Sequence, residues 1–354
     1  MKTLQEAFME FHENIKLDVE DNRLLKKHKD EAIEGLKDNL EVVEKFDAFL
    51  QGSYSVFTGI KSCDEDLDFD IDLGIAFYID KDNYSNPYEP KEWVEKAMKK
   101  QFPQAIITVK NPCVTATFKG EKEEENIHID VAVYAKEEEN YHLARGKKFS
   151  SLENKCWEKS DPIKLKDLIN NHIKDEEDRY QFKRCIRYLK RWKDINFKQE
   201  NRPTGIGITI NAYNWFSPQK ETDLITEKVI TKDISALKVL VNNMRMNFDQ
   251  EFDADTNIYR ERLKAFNIVE PYTDTYNKMS FTQMEDFKNK LNKLYEDLAF
   301  ASCTINLNEA TERLNKQFGD SFPIISKEEI AETHEKNSII TDYPSANGEI
   351  HGTY

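Results

Sequence analysis

The sequence predicts an α+β fold, in which a small mixed β-sheet with flanking helices is followed by a helical lobe. Two stretches, 68–79 and 126–134, alternate between polar and apolar residues, as half-buried strands do. From residue 161 onward, apolar residues recur at helical spacing instead. With 354 residues, the chain is long enough for two lobes of ordinary domain size.

The N-terminal residues 5–50 are interpreted as two helices that pack against the sheet. Apolar residues at helical spacing predict that the second helix includes 40–50. Gly52 and Ser53 follow, and such a turn brings backbone N–H groups and a hydroxyl close to phosphates without a side-chain clash. The pair alone is not informative. Its position before Thr58 and an acidic strand makes it specific.

The stretch 68–79 predicts a strand with one carboxylate-rich face. Its apolar face carries Phe69, Ile71, Leu73, Ile75, Phe77 and Ile79. Its other face begins with Asp68, Asp70 and Asp72 and ends in small residues. Two like charges ~4 Å apart repel by roughly 1 kcal/mol in water and ~4 kcal/mol near a protein surface, so this row favours a bound divalent cation. For residues 64–66 we prefer the alternative, a solvated acidic edge.

A third isolated carboxylate, Asp130, lies within the alternating stretch 126–134. Between the two stretches, the sequence predicts a helix over 92–101 and strands over 105–109 and 113–119. An aspartate in the middle of a hydrophobic strand is costly to bury unless it is paired or bound to metal. Pairing of the two strands would bring Asp130 beside Asp70 and Asp72, and three hard oxygen ligands suit Mg²⁺ or Mn²⁺. Two such ions about 3.5–4 Å apart would clamp an in-line phosphoryl displacement.

A helix predicted over 175–195, in the second lobe, is rich in cations. Phe182, Ile186 and Leu189 form its apolar stripe. Its other faces carry Lys183, Arg184, Arg187, Lys190 and Arg191. Exposed carboxylates are the ordinary partners of such cations, and we expect them for Arg184. Further helices are predicted over 233–248, 280–304 and 308–318.

Composition and charge exclude several classes of protein. The chain has 66 Asp and Glu against 51 Lys and Arg, which gives a formal net charge of −15. Because proteins that bind long DNA or RNA usually have a basic excess, we expect no requirement for a long nucleic acid. The five cysteines have no metal-site spacing and suit a reducing compartment. Since no apolar run could span a bilayer and no secretion signal is visible, we expect a cytoplasmic protein without a membrane partner.

These motifs together resemble a known superfamily. Gly52-Ser53, the DIDL run from Asp70 to Leu73, and Asp130 are similar to the signature of the DNA polymerase β-like nucleotidyltransferases. Four later stretches narrow the resemblance to the cGAS/DncV-like nucleotidyltransferases (CD-NTases), the bacterial oligonucleotide cyclases of CBASS anti-phage signalling. These stretches are Trp157 to Pro162, Cys185 to Asp194, Arg202 to Phe216 and Phe318 to Pro323. The resemblance covers residues 45–325.

The resemblance implies a polymerase β-like core and a helical C-terminal lobe, with nucleotides in the cleft between them. It implies that Asp70, Asp72 and Asp130 are catalytic and bind two Mg²⁺ ions, or Mn²⁺. The nucleotide phosphates would meet Gly52, Ser53, Lys190 and Thr204. Thr204 belongs to a stretch, 202–215, whose periodicity fits both a helix and a strand. An ordinary helix N-cap is the alternative role for its side chain.

The implied division has three parts: a nucleotidyltransferase core with N-terminal helices over 1–150, a helical lobe over 151–325 and a flexible tail over 326–354. The tail is polar and has no apolar face to bury. Some members of the family are joined to partners through their C-terminal residue. The resemblance therefore leaves open the possibility that an accessory protein acts on this tail.

The implied activity is metal-dependent synthesis of a cyclic di- or trinucleotide second messenger from ATP or other NTPs, for a downstream effector in anti-phage defence. One alternative is another template-free nucleotidyltransferase, which makes linear oligonucleotides or transfers an NMP to a protein or small molecule. A second alternative is a non-catalytic antitoxin or partner protein with this fold. The intact set of three carboxylates disfavours that second alternative.

Overall fold

A mixed seven-stranded sheet followed by a helical lobe confirms the predicted α+β fold. The computed structural model describes residues 2–42, 44–63, 67–119, 125–222 and 227–329. The helices are α1 Leu4–Ile15, α2 Val19–Asn39, α3 Gly52–Ser55, α4 Tyr88–Gln101, α5 Pro162–Asn171, α6 Glu176–Asn196, α7 Gly205–Trp215, α8 Asp233–Met246, α9 Phe281–Cys303 and α10 Leu307–Phe318. The strands are β1 Phe46–Leu50, β2 Leu67–Phe77, β3 Ile106–Val109, β4 Cys113–Lys119, β5 Glu125–Glu137, β6 Asn140–Ala144, β7 Trp157–Lys159, β8 Lys220–Thr222, β9 Val229–Thr231, β10 Asp249–Asp253 and β11 Ile258–Arg262.

The two predicted acidic strands, β2 and β5, lie next to each other at the centre of the sheet. The strand order is β1-β2-β5-β4-β3, and β2 and β5 run parallel while the other neighbours are antiparallel. Ile71, Leu73 and Ile75 of β2 are buried in a core with Val94 and Met98 of α4. The buried apolar face of β2 therefore leaves its acidic face toward the opposite side of the sheet.

Residues 46–50 form strand β1, so the helix predicted over 40–50 is wrong there. β1 pairs with β2 along its whole length in antiparallel register. Phe46, Ala48 and Leu50 pack against the core of the sheet. These residues alternate with a period of two as well as fitting helical spacing. The ladder of hydrogen bonds to a neighbouring strand decides between the two patterns.

Helix α1 packs in the core of the helical lobe, and the expectation that both N-terminal helices cover the sheet is wrong for it. Phe8 and Phe11 make ring contacts with Tyr188, Phe318 and Phe322 at centroid distances of 5.0 to 6.3 Å. Helix α2 does pack on the sheet. The chain therefore begins in one lobe and crosses to the other, and the predicted domain boundaries stay predictions.

The predicted helices of the second lobe are present, with α6 in place of 175–195 and α7 within the ambiguous stretch 202–215. No helix in the described ranges has both the length and the apolarity that a transmembrane span requires. Residues 64–66 and residues 330–354 of the predicted tail lie outside the described ranges.

Arg184 on α6 is buried and binds a buried carboxylate, so the expectation of exposed partners is wrong. Its Nε and Nη2 atoms donate to Oδ2 and Oδ1 of Asp233 at 2.6 and 2.8 Å. The Tyr188 hydroxyl donates to Oδ2 at 2.9 Å, and Gln181 Nε2 donates to Oδ1 at 3.3 Å. Because Asp233 is the first residue of α8, this network joins α6 to α8.

We expect Asp233→Ala to destabilise the fold by about 3–5 kcal/mol, because it leaves the Arg184 guanidinium buried without its charged partner. Urea unfolding followed by circular dichroism measures this loss. The matched control is Glu92→Ala, which removes a helical ion pair to Lys96 on the surface and should cost under about 1 kcal/mol. Equal losses in the two variants would contradict the structural role of the network.

Candidate active site

The turn after β1 holds Gly52 against Asp72. The Gln51 amide donates to the Asp72 carbonyl at 3.0 Å, which extends the pairing of β1 with β2 into the turn. Gly52 has a φ of +65°, and a Cβ atom at this position would lie 1.9 Å from Oδ2 of Asp72. Both the dihedral angle and the close approach require glycine. Ser53 follows in the one-turn helix α3 and lines the same cleft.

The parallel pairing of β2 with β5 sets Asp72 directly opposite Asp130 and Asp70 opposite His128. Neighbouring strands are about 4.8 Å apart, so the side chains of Asp72 and Asp130 share one small region of the sheet. Asp70 lies two residues earlier on the same face and is exposed toward the cleft. The three carboxylates predicted from the sequence are thus brought together by the sheet.

The Asp72 carboxyl has a pKa raised to about 7. Burial is the largest cause, and the negative charges of Asp70 and Asp130 add to it, while Lys190 and Lys110 act in the opposite direction. Burial and the two neighbouring negative charges therefore disfavour a bare carboxylate at Asp72. A bound divalent cation would reverse the effect, because it stabilises the ionised form.

These residues fit Mg²⁺ or Mn²⁺ by their chemistry, since clustered carboxylate oxygens are the ligands that hard cations prefer. Their side chains are not already arranged as a metal site. Among the described residues, no group of three or more His, Cys, Asp or Glu side chains is placed to hold an ion. The site fits a metal because of its carboxylate ligands and the repulsion among them, and not because these side chains already form a coordination geometry.

Asp130 is oriented by residues that the sequence motifs did not identify. The Thr115 hydroxyl, on the neighbouring strand β4, donates to Oδ1 of Asp130. Lys110 Nζ lies 3.6 Å from the same oxygen and lines the cleft. Lys110 belongs to no motif, but it lies in the turn between two strands predicted from the sequence. Pairing of the second of these strands with β5 is the signal that could have located it.

Lys190 extends from α6 to the loop after α3. Its Nζ donates to the carbonyl oxygen and to Oγ1 of Thr58, at 3.0 Å each. An ammonium group has three N–H donors, so this arrangement uses two of them. The pKa of Lys190 is lowered to about 7, first by burial and then by the nearby charges of Lys193 and Arg187. A phosphate oxygen beside the ammonium would raise that pKa again.

Thr204 is the N-cap of α7 and is not among the residues that line the cleft. Its Oγ1 accepts from the Gly207 amide at 3.1 Å and donates to the Thr275 carbonyl at 3.3 Å. The structure therefore favours the ordinary N-cap alternative over phosphate binding. Thr209, on the next turn of α7, lines the cleft together with Gly205.

The cleft between the sheet and the helical lobe has a volume of about 1240 Å³. Its sheet side includes Gly52, Ser53, Asp70, Asp72 and Asp130, and its helical side includes Lys190, Lys193, Arg202, Gly205 and Thr209. Sites for a single drug-sized ligand measure about 300–1,000 Å³, so this cleft has room for more than one nucleotide. The three carboxylates of β2 and β5 thus face Lys190 across the cleft, although Lys110 also lies on the sheet side and Asp194 on the helical side.

The sheet region is similar to a known family of nucleotidyltransferase domains. Residues 46–134 match the family described as cyclic GMP-AMP synthase DncV-like, nucleotidyltransferase domain. A curated relative, the cyclic GMP-AMP synthase of Escherichia albertii, is 32% identical over 182 residues, or 49% of this chain. The match covers 37% of that relative's length. The resemblance predicted from the sequence is confirmed.

Solved structures share the fold across both lobes. The structure of Vibrio cholerae DncV cyclic AMP-GMP synthase in complex with the linear intermediate 5′ pppA(3′,5′)pG has a TM-score of 0.55 and 19% identity, and the match covers 79% of this chain and 70% of that one. The Bradyrhizobium diazoefficiens CD-NTase CdnG in complex with GTP has a TM-score of 0.63 and 14% identity, with coverage of 90% and 96%. At these identities, the likeness establishes the fold.

The raised pKa of Asp72 predicts a stability effect that depends on pH. Since its carboxyl has a pKa of about 7 in the fold and an ordinary value of 3.8, ionisation destabilises the fold increasingly from pH 4 to pH 7 and fully above that. Asp72→Asn should therefore stabilise the metal-free protein, by on the order of 2–4 kcal/mol at pH 8 and roughly a third of that at pH 5.

Thermal unfolding in EDTA at both pH values measures this difference, and added Mg²⁺ should raise the melting temperature of the wild type more than that of the variant. Asp167→Asn, which changes an exposed carboxylate on α5, is the control and should show neither effect. A stabilisation by Asp72→Asn that is equal at pH 5 and pH 8 would contradict the assignment.

Proposed function

Since this chain carries a DncV-like nucleotidyltransferase domain, we propose that it joins NTPs into a linear dinucleotide and closes the product into a cyclic di- or trinucleotide. The observation that carries this proposal is the juxtaposition of Asp72 with Asp130 on β2 and β5, directly beside the Gly52 turn. Nucleotidyl transfer requires a cluster of carboxylates that binds metal ions and, beside it, a turn that binds phosphate.

In this proposal, Asp70 and Asp72 hold Mg²⁺ or Mn²⁺, as two ions, and Asp130 completes the ligand set. When bound, the ions would neutralise the developing charge on the phosphoryl oxygens and lower the pKa of the attacking hydroxyl. The mutual repulsion that raises the pKa of Asp72 supports this assignment, because a cation would remove it.

The triphosphate is assigned to the Gly52 turn and to Lys190 of α6. Gly52 has no side chain, so phosphate oxygens can approach the amides of the turn and the Ser53 hydroxyl. Lys190 lies on the opposite wall of the cleft with its ammonium on Thr58. A charge-assisted bond from Lys190 to a phosphate oxygen would complete the contact from the helical lobe.

Asp130 is proposed to accept the proton of the attacking ribose hydroxyl. The contacts of its carboxylate with Thr115 and Lys110 both involve Oδ1. In this proposal, the other carboxylate oxygen, Oδ2, receives the proton of the substrate hydroxyl. Thr115 therefore fixes the orientation of the carboxylate, which general base catalysis requires.

The biological setting follows from the resemblance and is proposed with it. ATP and other NTPs in the cytoplasm would be the substrates, and the cyclic product would act on a downstream effector in CBASS anti-phage defence. The structure solved with a linear pppA(3′,5′)pG intermediate belongs to a DncV enzyme of similar fold, and it supports a two-step synthesis here. An accessory protein that acts on the C-terminal tail is part of the same proposal.

We expect wild-type protein incubated with Mg²⁺ and all four labelled NTPs to give label that resists phosphatase, and mass spectrometry should identify a cyclic di- or trinucleotide. Asp70→Asn with Asp72→Asn should abolish the product by removing two metal ligands, while circular dichroism shows an intact fold. Label that is fully lost to phosphatase would indicate linear products. Wild-type turnover in the double variant would overturn the assignment of the carboxylates.

We expect Lys190→Ala to raise KM for NTPs by about 10- to 150-fold at saturating Mg²⁺, because a charge-assisted hydrogen bond is worth roughly 1.5–3 kcal/mol. Lys99→Ala is the control, since Lys99 is exposed on α4 and pairs with Glu95 along the helix. KM values that match in the two variants would remove Lys190 from the substrate site.

A further inference from the structure

Four of the five cations between positions 183 and 191 of α6 contact a single short segment of the sheet-containing lobe. This segment, residues 57–63, follows α3 and is called here the linking segment. Among the described residues, Arg184 is the member of the five that pairs with a carboxylate. The other four are Lys183, Arg187, Lys190 and Arg191, and together they are called the cation row. Their positions, i, i+4, i+7 and i+8, place them on one face of the helix.

Arg187 binds two residues of the linking segment and also reaches helix α1. Its Nη2 donates to the Phe57 carbonyl at 2.6 Å, and its Nε donates to the Gly59 carbonyl at 3.3 Å. Its Nη1 lies 3.0 Å from Nε2 of His12 on α1. Burial is the largest cause that lowers the pKa of His12, to about 4, so its ring is neutral and accepts this bond. One guanidinium therefore links three parts of the chain.

The rest of the row continues the contact along the same segment. Lys190 binds Thr58, and Arg191 donates from Nη2 to the Lys61 carbonyl at 2.8 Å and from Nη1 to the Cys63 sulfur at 2.9 Å. The Lys183 ammonium lies 4.6 Å from the centroid of the Phe57 ring. The carbonyl oxygens of residues 57, 58, 59 and 61 are thus bound by one helix face.

The linking segment needs such external support. Phe57 has a φ of +55°, a left-handed conformation that a non-glycine residue adopts at a cost of about 1 kcal/mol, and its ring is 63% exposed. Little apolar burial therefore holds Phe57 in place. The segment is continuous with the phosphate-binding turn, because the Thr58 amide donates to the Ser53 carbonyl at 2.9 Å.

Neutral acceptors also have an electrostatic consequence. A carboxylate partner would cancel each positive charge, whereas a carbonyl binds the donor and leaves the charge in place. Lys190 is the member of the row that lines the cleft, and because its pKa is about 7 it carries its full charge only when a bound anion raises that pKa. Like charges raise the cost of this arrangement, since Arg187 lowers the pKa of both Lys183 and Lys190. A polyanion bound in the cleft would relieve that repulsion.

We propose that the cation row positions the linking segment, with Arg187 as the principal positioning residue, and thereby holds Ser53 and Lys190 ready for a polyphosphate. The mechanical part of this inference stands on the contacts alone, and its effect on catalysis rests on the proposed function. Arg187 need not touch the substrate. It acts through the carbonyls of Phe57 and Gly59.

Hydrogen–deuterium exchange on the full chain tests the mechanical part. In Arg187→Met we expect amide exchange to become at least about tenfold faster in peptides covering 53–63, because two charge-assisted bonds to the segment are lost. The Thr58 and Lys61 amides report directly, as both are hydrogen-bonded in the structure. Exchange elsewhere should stay unchanged. Unchanged exchange at 53–63, or faster exchange throughout the molecule, would overturn the inference.

The matched control is Arg179→Met on the same helix, since Arg179 donates to the carbonyls of Ile173 and Lys174 and not to the linking segment. Exchange at 53–63 should not respond to it. Arg187→Lys keeps the charge with a smaller donor group and should restore part of the protection, which keeps the test decisive if Arg187→Met fails to fold.

Kinetics then test the catalytic part. In an active wild type, Arg187→Met should raise KM for NTPs by about tenfold or more with a smaller change in kcat, and Arg179→Met should change neither. Local loss of protection with an unchanged KM would overturn the link to substrate binding. A wild type that transfers no nucleotide would refute the proposed function, and the exchange result alone would then support or overturn the positioning role.

Discussion

The parallel pairing of β2 with β5 is the constraint on which the site depends. It sets Asp72 opposite Asp130, and the side chains of the two strands must then share a region in which both cannot comfortably be ionised. The apolar faces of the same strands fix the register, because a slip of one residue would turn these aspartates toward the core. Burial of the apolar faces of β2 and β5 therefore keeps the aspartates of the opposite face close together, despite their mutual repulsion.

Features that depend on neighbouring residues could be predicted from the sequence. The alternation in β2 and β5, the glycine before Ser53 and the amphipathic α6 are all local patterns, and each is present in the structure. Features that depend on distant partners could not. Phe46 to Leu50 fits a helix until β2 is beside it, and nothing local to Arg184 indicates that Asp233, 49 residues away, is buried against it.

Residues without a motif were missed for the same reason. Lys110 and Thr115 reach Asp130 because β4 pairs with β5, although Thr115 is 15 positions from Asp130 in the sequence and Lys110 is farther still. Thr204 shows the opposite case, in which a local pattern left two roles open and the contacts with Gly207 and Thr275 favour the structural one.

Charges of both signs at the base of the cleft titrate near neutral pH. The pKa of Asp72 is raised to about 7, and that of Lys190 is lowered to about 7. A cation bound to the first would release a proton, and an anion bound to the second would take one up. Loading of a metal–nucleotide complex can therefore approach proton balance, even though each partner separately is coupled to pH.

Most contacts of α6 with residues 57–61 are to main-chain carbonyls and do not depend on which side chains these residues carry, apart from the contacts with the Thr58 hydroxyl and the Phe57 ring. Every residue after α3 supplies a carbonyl oxygen, whatever its side chain. Substitution is restricted at Gly59, where a Cβ atom would lie 2.8 Å from Leu17 Cδ1. Sequence variation at positions such as Ile60 and Lys61 could alter the lining of the cleft while the path of the backbone stays the same. In this wall of the cleft, α6 determines the path of the backbone, and the side chains of the linking segment determine the chemical character of the surface.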